Sequence, residues 1–166
     1  IGADPKMRSG IHVERPSHVL GKLVDVALGN LPYFELTGVD WPTRDGSGIR
    51  DYIHVWDLAA AHLAAVTDFD AVFKRAGDPS DNYLVINLGT GRGVTVREIV
   101  AAFENVFGKK VPLREMPPRP GDVAGAYANA DTAGRLLGWE ATSSIEQGIA
   151  SALKWGEVRK SILGYQ

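Results

Sequence analysis

The sequence predicts an α/β fold, a small mixed sheet with flanking helices, on three observations. Short apolar or alternating runs at 33–37, 50–55, 83–88 and 111–116 have the length and composition of strands. Between and after them lie segments with helical spacing of apolar residues and clear start and stop signals. Strands that alternate with helices build a layered α/β structure.

Taken in order, residues 17–28 put Val19, Leu20, Leu23, Val24, Val26 and Ala27 roughly on one helical face. Pro16 and Ser17 start that helix, and Gly29-Asn30 ends it. Residues 33–37 read as a strand, followed by a turn-rich stretch, 38–48, punctuated by Pro42, Asp45-Gly46 and Gly48. A short strand over 50–55 runs straight into an alanine-rich helix over 56–66, and 78–82 is a polar loop. The apolar run 83–88 ends in glycines and suits a strand buried on both faces of a parallel sheet. Thr95 and Glu98 form a capping box for a helix over 96–107. Residues 111–116 read as another strand and 117–125 as a loop. Asp131 caps a helix that Gly138 closes. Ser143 with Glu146 caps a last one, whose face is Ile145, Ile149, Ala152, Leu153 and Trp155. Three or four short strands are few for a self-sufficient sheet. The 83–88 strand is therefore expected at the edge of a sheet whose centre lies elsewhere.

A chain of 166 residues holds one ordinary domain, and 45% hydrophobic with 23% charged residues excludes disorder along its whole length. The net charge of -2 gives no bulk attraction to nucleic acid or anionic membrane, so anion binding must come from placed arginines. No cysteine is present, which excludes disulfides, thiolate metal sites and a Cys nucleophile and leaves the compartment open. No apolar run approaches the length of a membrane span. The opening Ile1-Gly2-Ala3-Asp4-Pro5-Lys6 has neither an initiator Met nor a signal-peptide layout, so a fragment or trimmed chain is expected.

Gly89-Thr90-Gly91-Arg92-Gly93-Val94 sits where a dinucleotide-binding loop would sit, after a strand and before a helix. Val94 stands where the last glycine belongs, and no Asp or Glu closes a following strand at the usual distance. The stretch reads as a tight turn. His12, His54 and His62 lack metal-ligand spacing with another His or carboxylate, so no metal is expected. Trp41, Trp56, Trp139 and Trp155 read as core or rim packing. The informative stretch is Asp45-Gly46-Ser47-Gly48-Ile49-Arg50-Asp51-Tyr52-Ile53-His54-Val55. Its glycines make a loop that can pass close to a ligand, and Arg50 emerges where a guanidinium can fork onto a phosphate. A lone loop arginine is more often a solvated surface group; the surrounding motif decides otherwise.

This stretch resembles the hallmark segment of the UDP-glucose 4-epimerases, a branch of the extended short-chain dehydrogenase/reductases. Ile1-Gly2-Ala3 resembles the family segment after its catalytic Tyr-x-x-x-Lys helix and the next strand. Asn87-Leu88-Gly89-Thr90-Gly91 is similar to its late strand-turn, Pro118-Arg119-Pro120-Gly121-Asp122 to its Arg-x-Gly-Asp loop, and Leu137-Gly138-Trp139 to its late Leu-Gly-Trp. Order and spacing hold across nearly the whole chain. The resemblance implies that 1–166 is the C-terminal, UDP-sugar-binding part of an extended Rossmann-type fold, including late strands of its sheet. The N-terminal half that binds NAD would be absent.

By that resemblance Arg50 and Arg119 contact the ribose and diphosphate of a UDP-sugar, and Asp122 accepts the ribose hydroxyls. Ser17-His18-Val19 stands where many epimerases have Asn-Asn-Leu at a helix start, so His18 offers its backbone N–H to phosphate, with Val19 beside it. Glu35 and Thr37 lie in the strand that faces the uracil, Thr37 in place of an aromatic residue. Ala126, just before Tyr127, lines the sugar pocket; its small size implies tolerance of 2-acetamido sugars. NAD would take hydride from C4 of the hexose and return it to the other face, so the nucleotide must be held hard while the hexose stays loose. The Tyr-x-x-x-Lys pair is missing, which leaves no catalytic or cofactor-binding residue here and predicts an inactive chain when alone. Tyr52 and Tyr127 are the remaining pocket-facing phenols. A homodimer and a cytoplasmic location are implied as well. Two other readings remain open from the residues: a non-catalytic nucleotide-sugar binding or assembly module, and half of a related nucleotide-sugar dehydratase or decarboxylase.

Overall fold

A computed structural model describes residues 1–77 and 83–164; the polar loop expected at 78–82 lies outside them. Helix α1, Val19–Ala27, precedes strand β1, Phe34–Thr37, and the two-residue strand β2, Ile49–Arg50. Helices α2, Val55–Thr67, and α3, Phe69–Ala76, follow. Then come β3, Val94–Thr95, α4, Val96–Phe107, β4, Leu113–Met116, α5, Asp131–Leu137, and α6, Ile145–Leu163. The mixed sheet is two separate pairs. β1 runs parallel to β4, with Glu35 opposite Arg114 and Thr37 opposite Met116. β2 runs antiparallel to β3, and Ile49 also bridges Gly125 in parallel.

One core forms where α1, α4 and α6 cover the β1–β4 pair. It holds Leu23, Leu36, Ile99, Phe103 and Ile149, all almost fully buried. α4 folds there because its buried residues Ile99, Val100 and Phe103 share one face, and Thr95 and Glu98 close the capping box at its start. A buried ion pair joins α1 to α6: an Arg159 terminal nitrogen donates to Asp25 at 3.0 Å and also to the carbonyl of Glu14. The terminal nitrogens of that charge are paired and hydrogen-bonded, which offsets its burial, while its buried Nε has no partner among the described residues.

A second core gathers α2, α3, α5 and the stretch 83–88 around Ala61, Val72, Ala133, Leu136 and Trp139. Here the strand expected at 83–88 is corrected. The stretch is extended in burial pattern, with Leu84, Ile86 and Leu88 half-buried and Tyr83 and Val85 at 72% and 66% exposure. No ladder partner stands beside it among the described residues. A strand exists by its neighbours' hydrogen bonds, which apolar content alone does not supply.

Other boundaries shift for local reasons. The strand expected over 50–55 is confined to Ile49–Arg50, because His54 already caps α2 by accepting from Trp56 N at 3.0 Å. His18, not Ser17, caps α1. Asp131 is the first residue of α5 rather than its cap, and the Asn129 side chain accepts from its N–H at 2.8 Å. The last capping box belongs to Ser144 and Gln147, one residue on from Ser143 and Glu146; Ser143 N donates instead to Asp57. Helix α3 is new.

Candidate functional site

The site forms where three loops meet the N-terminus of α1 and the open edge of β1. Arg50 leaves β2 at the end of the glycine loop, whose course is cross-linked to the start of α4. Asp45 accepts from Ser47 N at 2.9 Å and from the Thr95 hydroxyl, while Ser47 Oγ accepts from Arg97 N. Ser47 and Thr95 are both fully buried, so the turn before Arg50 is pinned from inside. Arg119 lies on the 117–125 loop. Asp122 accepts from its backbone N–H at 3.0 Å and its Nε at 3.1 Å, and that bonded guanidinium holds the Asp122 carboxyl below its usual range.

Arg50 and Arg119 line the same two cavities. One, of about 780 Å³, is also bordered by His18, Val19, Tyr52 and Trp155. The other, of about 140 Å³, is also bordered by Val19, Glu35, Thr37, Trp41 and Asp122. Thus Arg50, Arg119, Val19, Glu35, Thr37 and Asp122 come together, with His18 at the adjoining wall. Ala126, expected to line the sugar pocket, is instead exposed and borders neither cavity, because its loop turns outward after Gly125. Asp122 is bonded to Arg119 and borders the smaller cavity.

His18 Nδ1 accepts from Gly21 N at 3.1 Å, which puts the proton on Nε2; burial lowers its pKa and keeps the ring neutral. The other N–H groups of that first turn have no intrahelical acceptor and suit an anion. The Tyr52 hydroxyl is buried without a partner, and burial pushes its pKa up to about 12, so it stays a donor. Trp41 brings to the small cavity the aromatic surface that Thr37 lacks. Sequence reading took it for packing, since nothing local ties position 41 to position 37. Among the described residues no His, Asp or Glu cluster is suited to a metal ion, and no helix is long and apolar enough to cross a membrane.

The Gly-x-Gly turn at 89–91 does not make a dinucleotide cradle. It is closed against Asp51, which accepts from Thr90 N at 3.1 Å. Its N–H group is spent on the protein itself.

No family model matches the chain. It is 43% identical over 165 residues to UDP-glucose 4-epimerase 3 of Oryza sativa subsp. japonica, covering 99% of this chain and 40% of that protein. UDP-glucose 4-epimerase from Stenotrophomonas maltophila, solved with bound NAD and formylated UDP-arabinopyranose, matches with a TM-score of 0.85. It is 36% identical and aligns with 97% of this chain and 46% of its own. The enzyme from Bifidobacterium longum, in complex with NAD+ and UDP, gives 0.84 at 36% identity over 99% of this chain and 46% of its own. The chain thus spans about two-fifths of the length of the curated relatives it matches. The resemblance to UDP-glucose 4-epimerases holds over nearly all of the chain, and its fold is the α/β fold of these short-chain-dehydrogenase-type enzymes.

Proposed function

We propose that this chain, a relative of the UDP-glucose 4-epimerases along nearly its whole length, is the nucleotide-sugar-gripping part of an NAD-dependent UDP-glucose/UDP-galactose 4-epimerase of galactose metabolism. One observation carries the reading: two arginines from distant loops border the same cavities beside a helix N-terminus. A diphosphate fits that charge and geometry. Hydrogen bonds to charged groups contribute roughly 1.5–3 kcal/mol each, so the pair supplies much of the ~8 kcal/mol of micromolar binding. Val19, Glu35, Thr37 and Trp41 then flank the base, and Asp122 meets the ribose while orienting Arg119. The hexose lies in the large apolar cavity, where few polar groups restrain its turning.

Residues 1–166 act as the C-terminal substrate region, and a separate N-terminal half holds NAD and the Tyr-x-x-x-Lys pair. Support comes from the unladdered 83–88 stretch and from apolar residues left exposed on α2. Dimer formation through that other half and a cytoplasmic location belong to the same reading. In this reading most of the NAD site lies in the other half, and no chemical step is assigned to the residues here.

Calorimetric titration with UDP tests the grip. Arg50→Ala and Arg119→Ala should each weaken binding about tenfold or more; unchanged affinity in both refutes the reading. The isolated chain should show no epimerase turnover until the other half is added. By the family resemblance alone, since Ala126 borders neither cavity of this chain, its single methyl extends the substrate range to UDP-N-acetylhexosamines. Absence of turnover on UDP-N-acetylglucosamine by the intact enzyme, beside normal activity on UDP-galactose, would sink that extension.

A further inference from the structure

We propose that Asp51 is a positioning residue of the nucleotide-sugar site, keeping the segment that bears Arg119 and Asp122 seated against the strand that bears Arg50. This rests on the diphosphate reading of the two arginines. An acidic residue next to such an arginine repels a bound anion, so its presence there calls for a compensating role. Here it accepts from stretches distant in sequence. Thr90 donates through N at 3.1 Å and through Oγ1 at 2.7 Å to Oδ1, and Ala128 N donates at 3.2 Å to Oδ2. Gly89 is glycine for this reason: a Cβ there would collide with Asp51 Oδ2 and stand 2.8 Å from the Ala128 methyl. The glycine turn serves as a socket for a carboxylate.

Arg50 works on the same segment from its other end. Its guanidinium donates to the carbonyls of Ile49 at 2.7 Å, Ala124 at 3.3 Å and Val123 at 3.4 Å. It passes through the space a side chain on Gly125 would fill, and Gly125 has φ +120°. The segment 123–128 is therefore fastened at 123–125 by β2 and Arg50 and at 128 by Asp51. An Arg50 that turns toward a diphosphate loosens its hold on the Val123 and Ala124 carbonyls. Asp51 lies outside that exchange and keeps the far end fixed while ligand is bound.

Asp51→Asn on the full-length protein tests this, because the amide retains the shape and presents donors to donors. The Kd for UDP should rise about tenfold. The amides of Thr90 and Ala128 should exchange faster, with those of Phe34 and Gly38 in the β1–β4 pair unchanged. Loss of a mere repelling charge would tighten UDP binding instead, and that result overturns the proposal. So does unchanged UDP affinity in D51N beside normal wild-type binding. A wild type that binds no UDP overturns the diphosphate reading itself. Should D51N fail to fold, Thr90→Val removes one donor from an exposed position. It should still weaken UDP binding about threefold; no effect there counts equally against Asp51.

Discussion

The two cores of this molecule are built on different terms. Around Phe103 the helices find cover in the same chain: α1 and α4 carry one apolar stripe each and pack over the β1–β4 pair. Around Ala61 the cover is partial. α2 is apolar on nearly every side, yet within the helix only Asp57 and Ala61 are buried, while Leu63 and Val66 stand at 64% and 75% exposure. A helix hydrophobic all round belongs inside a larger structure. Completeness of a core is thus a property of the chain's partners as much as of its own residues.

Truncation in the closed core should have the largest effect. Phe103→Ala removes a fully buried ring and should lower the unfolding free energy by about 3–5 kcal/mol, read from the shift of the urea midpoint. Leu136→Ala in the open core should cost only about 2 kcal/mol, because small and half-exposed neighbours can close on the gap. Equal losses would erase the distinction between the two regions. Asp57 is the seam between α2 and the start of α6. It accepts from Ser143 N at 2.8 Å and from the backbone and hydroxyl of Thr142 at 3.2 Å. Asp57→Ala strands these donors and should cost about 2–3 kcal/mol, with faster amide exchange in the first turn of α6. Next comes the outer face of α2. Leu63→Ser should stay within about 0.5 kcal/mol in the isolated chain. It should cost about 1.5 kcal/mol in the full-length protein, where that face is covered. The same small change in both would show that nothing packs there.

The sequence was readable wherever the cause is local. The Thr95/Glu98 box spans three residues and is found as expected, whereas Ser143-Ser144-Ile145-Glu146-Gln147 fits the same pattern in two registers. Asp57 chooses between them from outside the local chain. Residues 83–88 have strand composition, but the ladder they need lies in no neighbouring residue. Helix α3 went unseen although Gly77 closes it in the left-handed conformation; its eight residues present too little periodicity beside α2. For the site, family resemblance pointed to Arg50, Arg119 and Asp122, and the pairing of Asp122 with Arg119 is local enough to read directly. The shared cavity, the entry of Trp41 and the role of Asp51 are not, since Asp51 meets Thr90 and Ala128 only after folding.

The smallest effect separates the two regions by pH. His18 starts α1 in the closed core and His54 starts α2 in the open one, and each accepts a backbone N–H through Nδ1, which only the neutral ring can do. Burial lowers both pKa values from 6.5, and Asp57 opposes this at His54. Between the lowered folded value and 6.5 the unfolded chain holds more protons than the folded one. Stability is therefore complete above pH ~6.5 and declines as the pH falls through that window. Each lost cap should cost about 0.5 kcal/mol, the low end for helix caps. Urea midpoints at pH 7.5 and 5.5 measure the sum, and His18→Asn should remove its own share while keeping a side-chain acceptor at the cap. Because α1 borders the diphosphate cleft and α2 opens on the large cavity's far rim, only the His18 share should reappear as pH-dependent UDP affinity. A pH dependence of binding that persists in H18N and vanishes in H54N would reverse the assignment of the two caps to their regions.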